Sequence, residues 1–311
     1  LGRPVRTFTA GALAQVAVPS PSAVVAAAVG TPSVAEAAAL LAAGPEAHLV
    51  VTKRASAHAT VAIARRARPR GHLSLVGLGP GGAAHRTPAA DAAVRHADVV
   101  IGYTAYVDQA AGLLGPGQEV VRSPIGEEVV RAKQALADAA AGRRVAMVCS
   151  GDAGVYAMAA VVLELADDPS VPIDVVPGVT AGLASAALLG APLGHDHVLI
   201  SLSDLHTPWE VIAHRVRAAA EADLVVVLYN PRSQRRTRQL EEARSTLLTA
   251  RRGETPVGLV AHAGRPGERV TVTTLAGFDA AQVDMSTCVI IGSSTTRVIA
   301  GRMVTPRGLV P

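Results

Sequence analysis

Five times between Leu73 and Glu268 an apolar run breaks off in a glycine-rich or irregular segment: LSLVGLGPGG, VAMVCSGDAGVY, IDVVPGVTAG, VVVLYNP and VGLVAHAGRPGE. Short runs rich in Val, Ile and Leu that stop at such punctuation read as strands. Ligands of open α/β sheets gather outside the carboxyl ends of strands, so loops of this kind can line one cleft. The surrounding pattern supports an α/β chain. HLSLVGLG, DVVIGY, EVVRS, RVAMVCS and PIDVVPG alternate with helical stretches such as IGEEVVRAKQALADAAAG, as in a parallel sheet flanked by helices. A second series follows in HVLISLS, DLVVVLYN, PVGLVAHA, RVTVTTLAGF and CVIIGSS, with a helix between its first two members opened by Thr207, Pro208 and Glu210 as a capping box. Two α/β domains result, with a break near Pro192 to His195.

The residues before this series read differently. TPSVAEAAALLAAGP places Ser33 and Glu36 at capping-box spacing before an alanine-rich helix that stops at Gly44 and Pro45. HLVVTK and ATVAIAR then form two strand-like runs, and RRARPRG, Arg65 to Gly71, reads as a linker. The expected division is therefore an accessory segment over 1–66, a linker over 67–71, and α/β domains over 72–193 and 194–311. The opening LGRPVR carries neither an initiator Met nor the apolar core of a secretory signal, and reads as a cut start.

Gly77, Gly79 and Gly82 satisfy G-x-G-x-x-G, the pattern of a dinucleotide loop. That loop needs a helix beginning inside the motif and an acid at the end of the second strand. Here the next helix is better started at Thr87 and Pro88, and VVIGYTAY ends without an acid. Pro80 also removes an amide that a phosphate would want. The turn by itself is equally well a plain strand ending.

Composition narrows the partners. The 311 residues are 50% hydrophobic, with a formal net charge of +4 and a pI near 9.5. A basic balance suits nucleic acid, an anionic membrane or a small polyanion. Two Phe, one Trp and four Tyr leave little for base stacking, which favours a small molecule with several carboxylates. No apolar run approaches the roughly 18 residues of a spanning helix, so no membrane partner is expected. Cys149 and Cys288, the only cysteines, lie in apolar runs and read as buried free thiols of a reducing cytoplasm. His85 and His262 lack ligand-spaced partners, and no protein-bound metal is expected.

Taken in order, VGLGPG, SGDAGVYAMA, VPGVTA, YNP and GRPGE resemble the tetrapyrrole methyltransferases, which use S-adenosylmethionine on precorrins and uroporphyrinogen. GYTAYVD, ISLSDLHTPWEVI, YNPRSQRRTRQL and TRVIAGRMVTPRGL are similar to the branch that methylates precorrin-3B at carbon 17, and the likeness covers His72 to Leu309. GTPSVAEAAALLAAG and TVAIAR resemble the C-terminal domain of the cobalamin-biosynthesis protein that opens the lactone of cobalt-precorrin-5A. That likeness is shorter, so no lactone-opening activity is assigned.

The resemblance implies a tetrapyrrole methylase fold, two α/β domains with the ligand cleft between them and the small accessory segment ahead. It also implies S-adenosylmethionine as methyl donor, a precorrin as substrate, and a cytoplasmic homodimer. Carried over residue by residue, donor binding falls to Pro80, Ser150, Gly151, Asp152, Val155, Thr180, Ala181, Tyr229, Asn230 and Ala263. Glycines that let backbone close around the donor suit methyl transfer, which needs an in-line approach rather than a protein nucleophile. Asp152 serves equally as a turn acid. Many members read GPGD where this chain has Gly82, which weakens the carry-over at that turn. The implied reaction, methylation at carbon 17 with ring contraction, also needs proton movement. Tyr103, Asp204 and His206 are the catalytic candidates, and Tyr106 and Arg232 the substrate-binding ones. The plain alternatives are an aromatic pair for the tyrosines, local capping for Asp204 and His206, and a solvated charge run for Arg232 to Arg238. A methyltransferase for another precorrin or an RNA ribose, a nicotinamide oxidoreductase and a non-catalytic corrinoid carrier remain competing classes.

Overall fold

The computed structural model describes residues 5–65 and 71–308. Apart from Gly71, the expected linker lies outside the described residues, as do the first four residues and Leu309. The chain forms two compact units that divide between residues 69 and 70.

In the first unit, α1 (Ala10–Ala14), α2 (Ala23–Val29) and α3 (Val34–Ala43) precede an antiparallel hairpin of β1 (His48–Ala55) and β2 (Thr60–Arg65). α3 packs on the hairpin. Ser33 is its N-cap residue, but the expected capping box does not form. Glu36 is fully buried and accepts instead from the amides of Lys53 at 2.8 Å and Ser20 at 3.2 Å. A buried carboxylate takes the strongest donors within reach, and here two amides from other segments outcompete the reciprocal cap.

The second unit contains β3 (His72–Gly77), α4 (Pro88–His96), β4 (Val99–Tyr103), α5 (Thr104–Gln109), β5 (Glu119–Ser123), α6 (Glu128–Ala140), β6 (Arg144–Cys149), α7 (Met158–Leu165) and β7 (Ile173–Val176). These five strands form one parallel sheet in the order β5-β4-β6-β3-β7. Its three inner strands, β4, β6 and β3, are largely buried and apolar, as parallel strands between helices must be, while the edge strands β5 and β7 are partly exposed. Leu73, Leu75, Met147 and Cys149 point to α6 and α7, while Val76, Val100, Ala146 and Val148 point to α4 and α5. Thr87 caps α4 by accepting from the Ala90 amide, with Pro88 in the first turn, as the sequence predicts.

The chain continues through α8 (Ala181–Leu189), β8 (Gly190–Ala191), β9 (His197–Ser201), α9 (Trp209–Glu221), β10 (Val225–Tyr229), α10 (Gln239–Leu248), β11 (Pro256–Ala261), β12 (Arg269–Thr274), β13 (Thr287–Ile291), β14 (Arg297–Ile299) and β15 (Arg302–Val304). The second large sheet runs β12-β11-β13-β10-β9 and is mixed: only β9 and β10 are hydrogen-bonded in parallel. The short AHAGRPGE connection leaves no room for a crossover helix, so β12 turns back antiparallel on β11. A small sheet pairs β15 with β14 and, in parallel, with β8. α9 begins after Pro208, which occupies the cap position itself, and neither Thr207 nor Glu210 makes the expected capping bond. Pro208 fixes the entry into the helix without a side-chain acceptor.

α9 and α10 cover one face of the second sheet, against Ile200, Val226, Leu228, Val257 and Ile291. α8 covers the other, with Ala186 and Leu189 packed on Val225, Val227, Val260 and Ile290. A Cβ on Gly258 of β11 would stand 2.2 Å from Leu189 Cδ1, so the helix lies directly on that strand. The helix placed before the expected break at 193 thus packs with the second sheet, and the chain leaves the first sheet around Pro177 to Thr180. The apolar residues of AGLASAALL are not confined to one stripe, so the segment names no sheet on its own.

Both thiols are free and buried. Burial pushes Cys149 up to about 11 and Cys288 up to about 12, so both stay protonated at neutral pH. Among the described residues no single helix is long and apolar enough to cross a membrane. If α8 is held by the second sheet, Leu189→Ala opens a cavity there and lowers the unfolding free energy by about 2–5 kcal/mol in a urea titration. An unchanged midpoint would mean that this face does not hold the helix.

Candidate functional site

At the carboxyl ends of β3, β6 and β7 three backbones meet with nothing between them. A Cβ on Gly178 would lie 2.2 Å from the Gly151 carbonyl oxygen, and one on Gly77 would lie 2.7 Å from the Gly178 nitrogen. Only glycine admits that approach. Gly79 and Gly151, both left-handed at φ +74 and +70, exchange amide-to-carbonyl bonds of 3.0 and 2.8 Å. Asp152 then ties two loops together, accepting from the amides of Gly154 at 2.8 Å and Gly178 at 2.9 Å. That is the turn-acid role foreseen as its alternative. Gln109 Nε2 donates to the carbonyls of Leu78 and Gly79, which fixes the first loop from behind.

Loops of the second sheet reach into this array. The Tyr229 hydroxyl accepts from the Gly182 amide at 2.8 Å and pairs with Thr180 Oγ1 at 2.8 Å. Thr180 is the N-cap residue of α8 but makes no cap bond itself, so a strand-end tyrosine performs the capping. Arg265 of GRPGE donates through Nε to the Pro80 carbonyl at 2.6 Å and through Nη2 to Ser150 Oγ at 2.5 Å. Asn230 donates from Nδ2 to Ser201 Oγ at 3.0 Å. Tyr156 packs 5.2 Å from the Tyr229 ring and donates to the Leu199 carbonyl at 2.7 Å. Tyr156, Asn230 and His262, all in these loops, hold positive φ near +50, a conformation that costs free energy and is maintained by the surrounding contacts.

The expected donor residues are therefore largely gathered. Gly151 lies beside Thr180 and Ala181: a Cβ on it would meet nothing nearer than the Ala181 nitrogen at 3.6 Å. Pro80 and Ser150 are joined through Arg265, and Tyr229 joins Thr180. Val155 follows in the Asp152 turn, and Ala263 is buried beneath the GRPGE loop beside Val260 and Cys288.

The other candidates are more dispersed. Tyr103 and Tyr106 stack edge to face at 5.1 Å at the end of β4. Burial pushes the Tyr106 phenol up, against the pull of the Arg265 and Arg131 guanidiniums. Asp204 is exposed and accepts from Gln239 Nε2 at 2.7 Å, and His206 is exposed on the same loop. Arg232 donates to the Ala280 carbonyl at 2.8 Å. Arg236, read from the sequence as one of a solvated run, is the buried member: it donates to the Asn230 carbonyl at 2.9 Å and shapes the loop after β10. Arg265 was not singled out by sequence. Its only signal is an arginine between two glycines of a motif loop, both left-handed in the structure.

The phenols of Tyr156 and Tyr229 are pushed up by burial and remain neutral hydrogen-bonding groups at neutral pH. Among the described residues no group of three or more His, Cys, Asp or Glu is placed to hold a metal. The open side of Gly151, beside the first-turn backbone of α8, suits an uncharged adenosyl portion better than a pyrophosphate, because Tyr229 already occupies the Gly182 amide.

Comparison with known proteins follows the same division. The family model described as tetrapyrrole (corrin/porphyrin) methylases matches residues 72–279, and the one described as cobalamin synthesis G C-terminus matches residues 1–64. A precorrin-3B C(17)-methyltransferase of Sinorhizobium sp. is 49% identical over 234 residues, which cover 74% of this chain and 91% of that protein. A cobalt-factor III methyltransferase of Priestia megaterium is 45% identical over 245 residues, 77% of this chain; the chain spans only 45% of that longer relative. The crystal structure of the methyltransferase CobJ superimposes with a TM-score of 0.73 at 36% identity, covering 76% of this chain and all of that one. A uroporphyrin-III C-methyltransferase of Thermus thermophilus, solved with S-adenosylhomocysteine, gives a TM-score of 0.56 at 27% identity, over 71% of this chain and 97% of that one.

If the Tyr229 hydroxyl caps α8, Tyr229→Phe strands the Gly182 amide and Thr180 Oγ1 and costs about 1–3 kcal/mol of unfolding free energy. A urea midpoint equal to that of the wild type would show that the hydroxyl carries no such load.

Proposed function

Because the chain belongs to the tetrapyrrole (corrin/porphyrin) methylases, we propose that it methylates precorrin-3B at carbon 17 with contraction of the ring to precorrin-4, using S-adenosylmethionine as the methyl donor. The observation that carries this reading most is the pair of ties between sheets, Tyr229 to Thr180 and Arg265 to Ser150, which bring loops from both to one place. The donor supplies a methyl group on a positively charged sulfur. The chain's own contribution is to hold donor and macrocycle in line.

We assign donor binding to Pro80, Ser150, Gly151, Asp152, Val155, Thr180, Ala181, Tyr229, Asn230 and Ala263. Asp152 acts in this set by fixing the Gly154 and Gly178 amides. Tyr106 and Arg232 contact the macrocycle; Arg232 keeps N–H groups beyond the one given to Ala280 for a propionate or acetate. Proton movement during contraction falls to Tyr103, Asp204 and His206, at the ends of β4 and β9. The two large sheets represent two domains, the chain passing from the first to the second around Pro177 to Thr180 rather than near 193, and residues 1–66 form an accessory domain of cobalamin-biosynthesis type. The protein works as a cytoplasmic homodimer on a small molecule, not on nucleic acid or membrane. Its two buried free thiols and few aromatics favour that setting.

A second substrate has specific support. A relative named for cobalt-factor III is 45% identical, so a related ring carrying cobalt is the alternative. Parallel anaerobic incubations with precorrin-3B and with cobalt-factor III, each with methyl-labelled S-adenosylmethionine and followed by mass analysis, separate the cases. A labelled, ring-contracted product is the expected result. Labelling of cobalt-factor III alone moves the substrate to the cobalt form, and labelling of neither rejects the activity.

A further inference from the structure

The loop after β11 is built to present one side chain. His262, Gly264 and Gly267 all hold positive φ, and the Arg265 amide donates back to the His262 carbonyl at 2.9 Å. Glu268, the acid that would most simply pair with Arg265, is used inside the loop, accepting from the Gly264 amide at 2.7 Å. Among the described residues Arg265 therefore has no carboxylate at ion-pairing distance. Its guanidinium is given instead to two neutral acceptors on the other sheet, 185 and 115 positions away in sequence: the Pro80 carbonyl and Ser150 Oγ.

Those acceptors are not arbitrary. Pro80 follows Gly79 and Ser150 precedes Gly151, and these two glycines exchange the backbone bonds that join the ends of β3 and β6. The guanidinium fork thus spans the same junction from the opposite sheet. The turn opposite has been cleared for it. A Cβ on Gly81 would stand 2.3 Å from Arg265 Cγ and 2.5 Å from the Gly264 carbonyl oxygen, and one on Gly82 would stand 3.1 Å from that oxygen. Where the acid of GPGD is missing, at Gly82, a side chain would press on the backbone of the arginine loop.

We propose that Arg265 is a positioning residue that clamps the loops after β3 and β6 from the second sheet and so sets the geometry of donor binding. This rests on the methyltransferase reading of the same cleft. Arginine suits this place because two bonds in fixed directions match its planar fork, whereas a lysine ammonium is a point charge on a flexible stem.

Calorimetric titration with S-adenosylhomocysteine, with thermal unfolding and steady-state kinetics alongside, tests it on the full chain. Arg265→Ala is expected to weaken binding about 10- to 100-fold, the range for losing hydrogen bonds from a charged donor. It raises KM for S-adenosylmethionine while leaving KM for the tetrapyrrole near its wild-type value. Arg265→Lys recovers part of the loss. Ser150→Ala has a smaller effect that nearly vanishes in the Arg265→Ala background, because the shared bond is already gone. If the wild type binds S-adenosylhomocysteine and a folded Arg265→Ala binds it within twofold, the clamp is wrong and the methyltransferase reading stands. Additive effects of the two substitutions also overturn the clamp. If the wild type does not bind, the methyltransferase reading itself fails. Should Arg265→Ala not fold, Arg265→Lys and Ser150→Ala decide: unchanged affinity in both rejects the clamp.

Discussion

The cleft depends on bare backbone contact among Gly77, Gly151 and Gly178. Three strands of one sheet end against each other there with no side chain between them, and a methyl group at either Gly77 or Gly178 would fall within 3 Å of neighbouring backbone atoms. Such contact is rigid because it has no rotamers, and it places the following residues, Leu78, Asp152 and Val179, without further adjustment. The Gly79–Gly151 exchange and the two amides held by Asp152 then lock the turn. Glycine here does more than relieve strain in isolated turns. It lets three loops become one surface.

The second sheet completes that surface through two side chains. Tyr229 takes over the cap of α8, and Arg265 spans the junction of the first two loops. Both ties end on neutral groups, the Gly182 amide and Thr180 hydroxyl for Tyr229 and the Pro80 carbonyl and Ser150 hydroxyl for Arg265, so neither is an ion pair. A short β11–β12 connection keeps GRPGE as a tight, left-handed loop and leaves no helix to cover it.

Much of this was legible in the chain. Each predicted strand is present, the glycine segments stand at carboxyl ends, and Thr87 with Pro88 starts α4. Those features are local, set by β-branched runs, by turn residues and by a cap whose donor lies three residues away. What was not legible involves a partner far along the chain. Ser33 and Glu36 have capping-box spacing, yet Glu36 is claimed by Ser20 and Lys53 amides. α8 is apolar on more than one side, so its sequence does not say which sheet it covers. Spacing also does not tell Arg236, which folds back on Asn230, from the exposed Arg235 and Arg238 beside it. Arg265 was hidden for the same reason, since its partners lie more than a hundred residues earlier.

A crystal structure of the full chain with S-adenosylhomocysteine tests the central claim most directly, that these five loops form one donor cleft. The account predicts the ligand against Gly151, Thr180 and Ala181, on the carboxyl side of the first sheet and within reach of the loops after β10 and β11. Ligand density elsewhere, with the space beside Gly151 left empty, would contradict it.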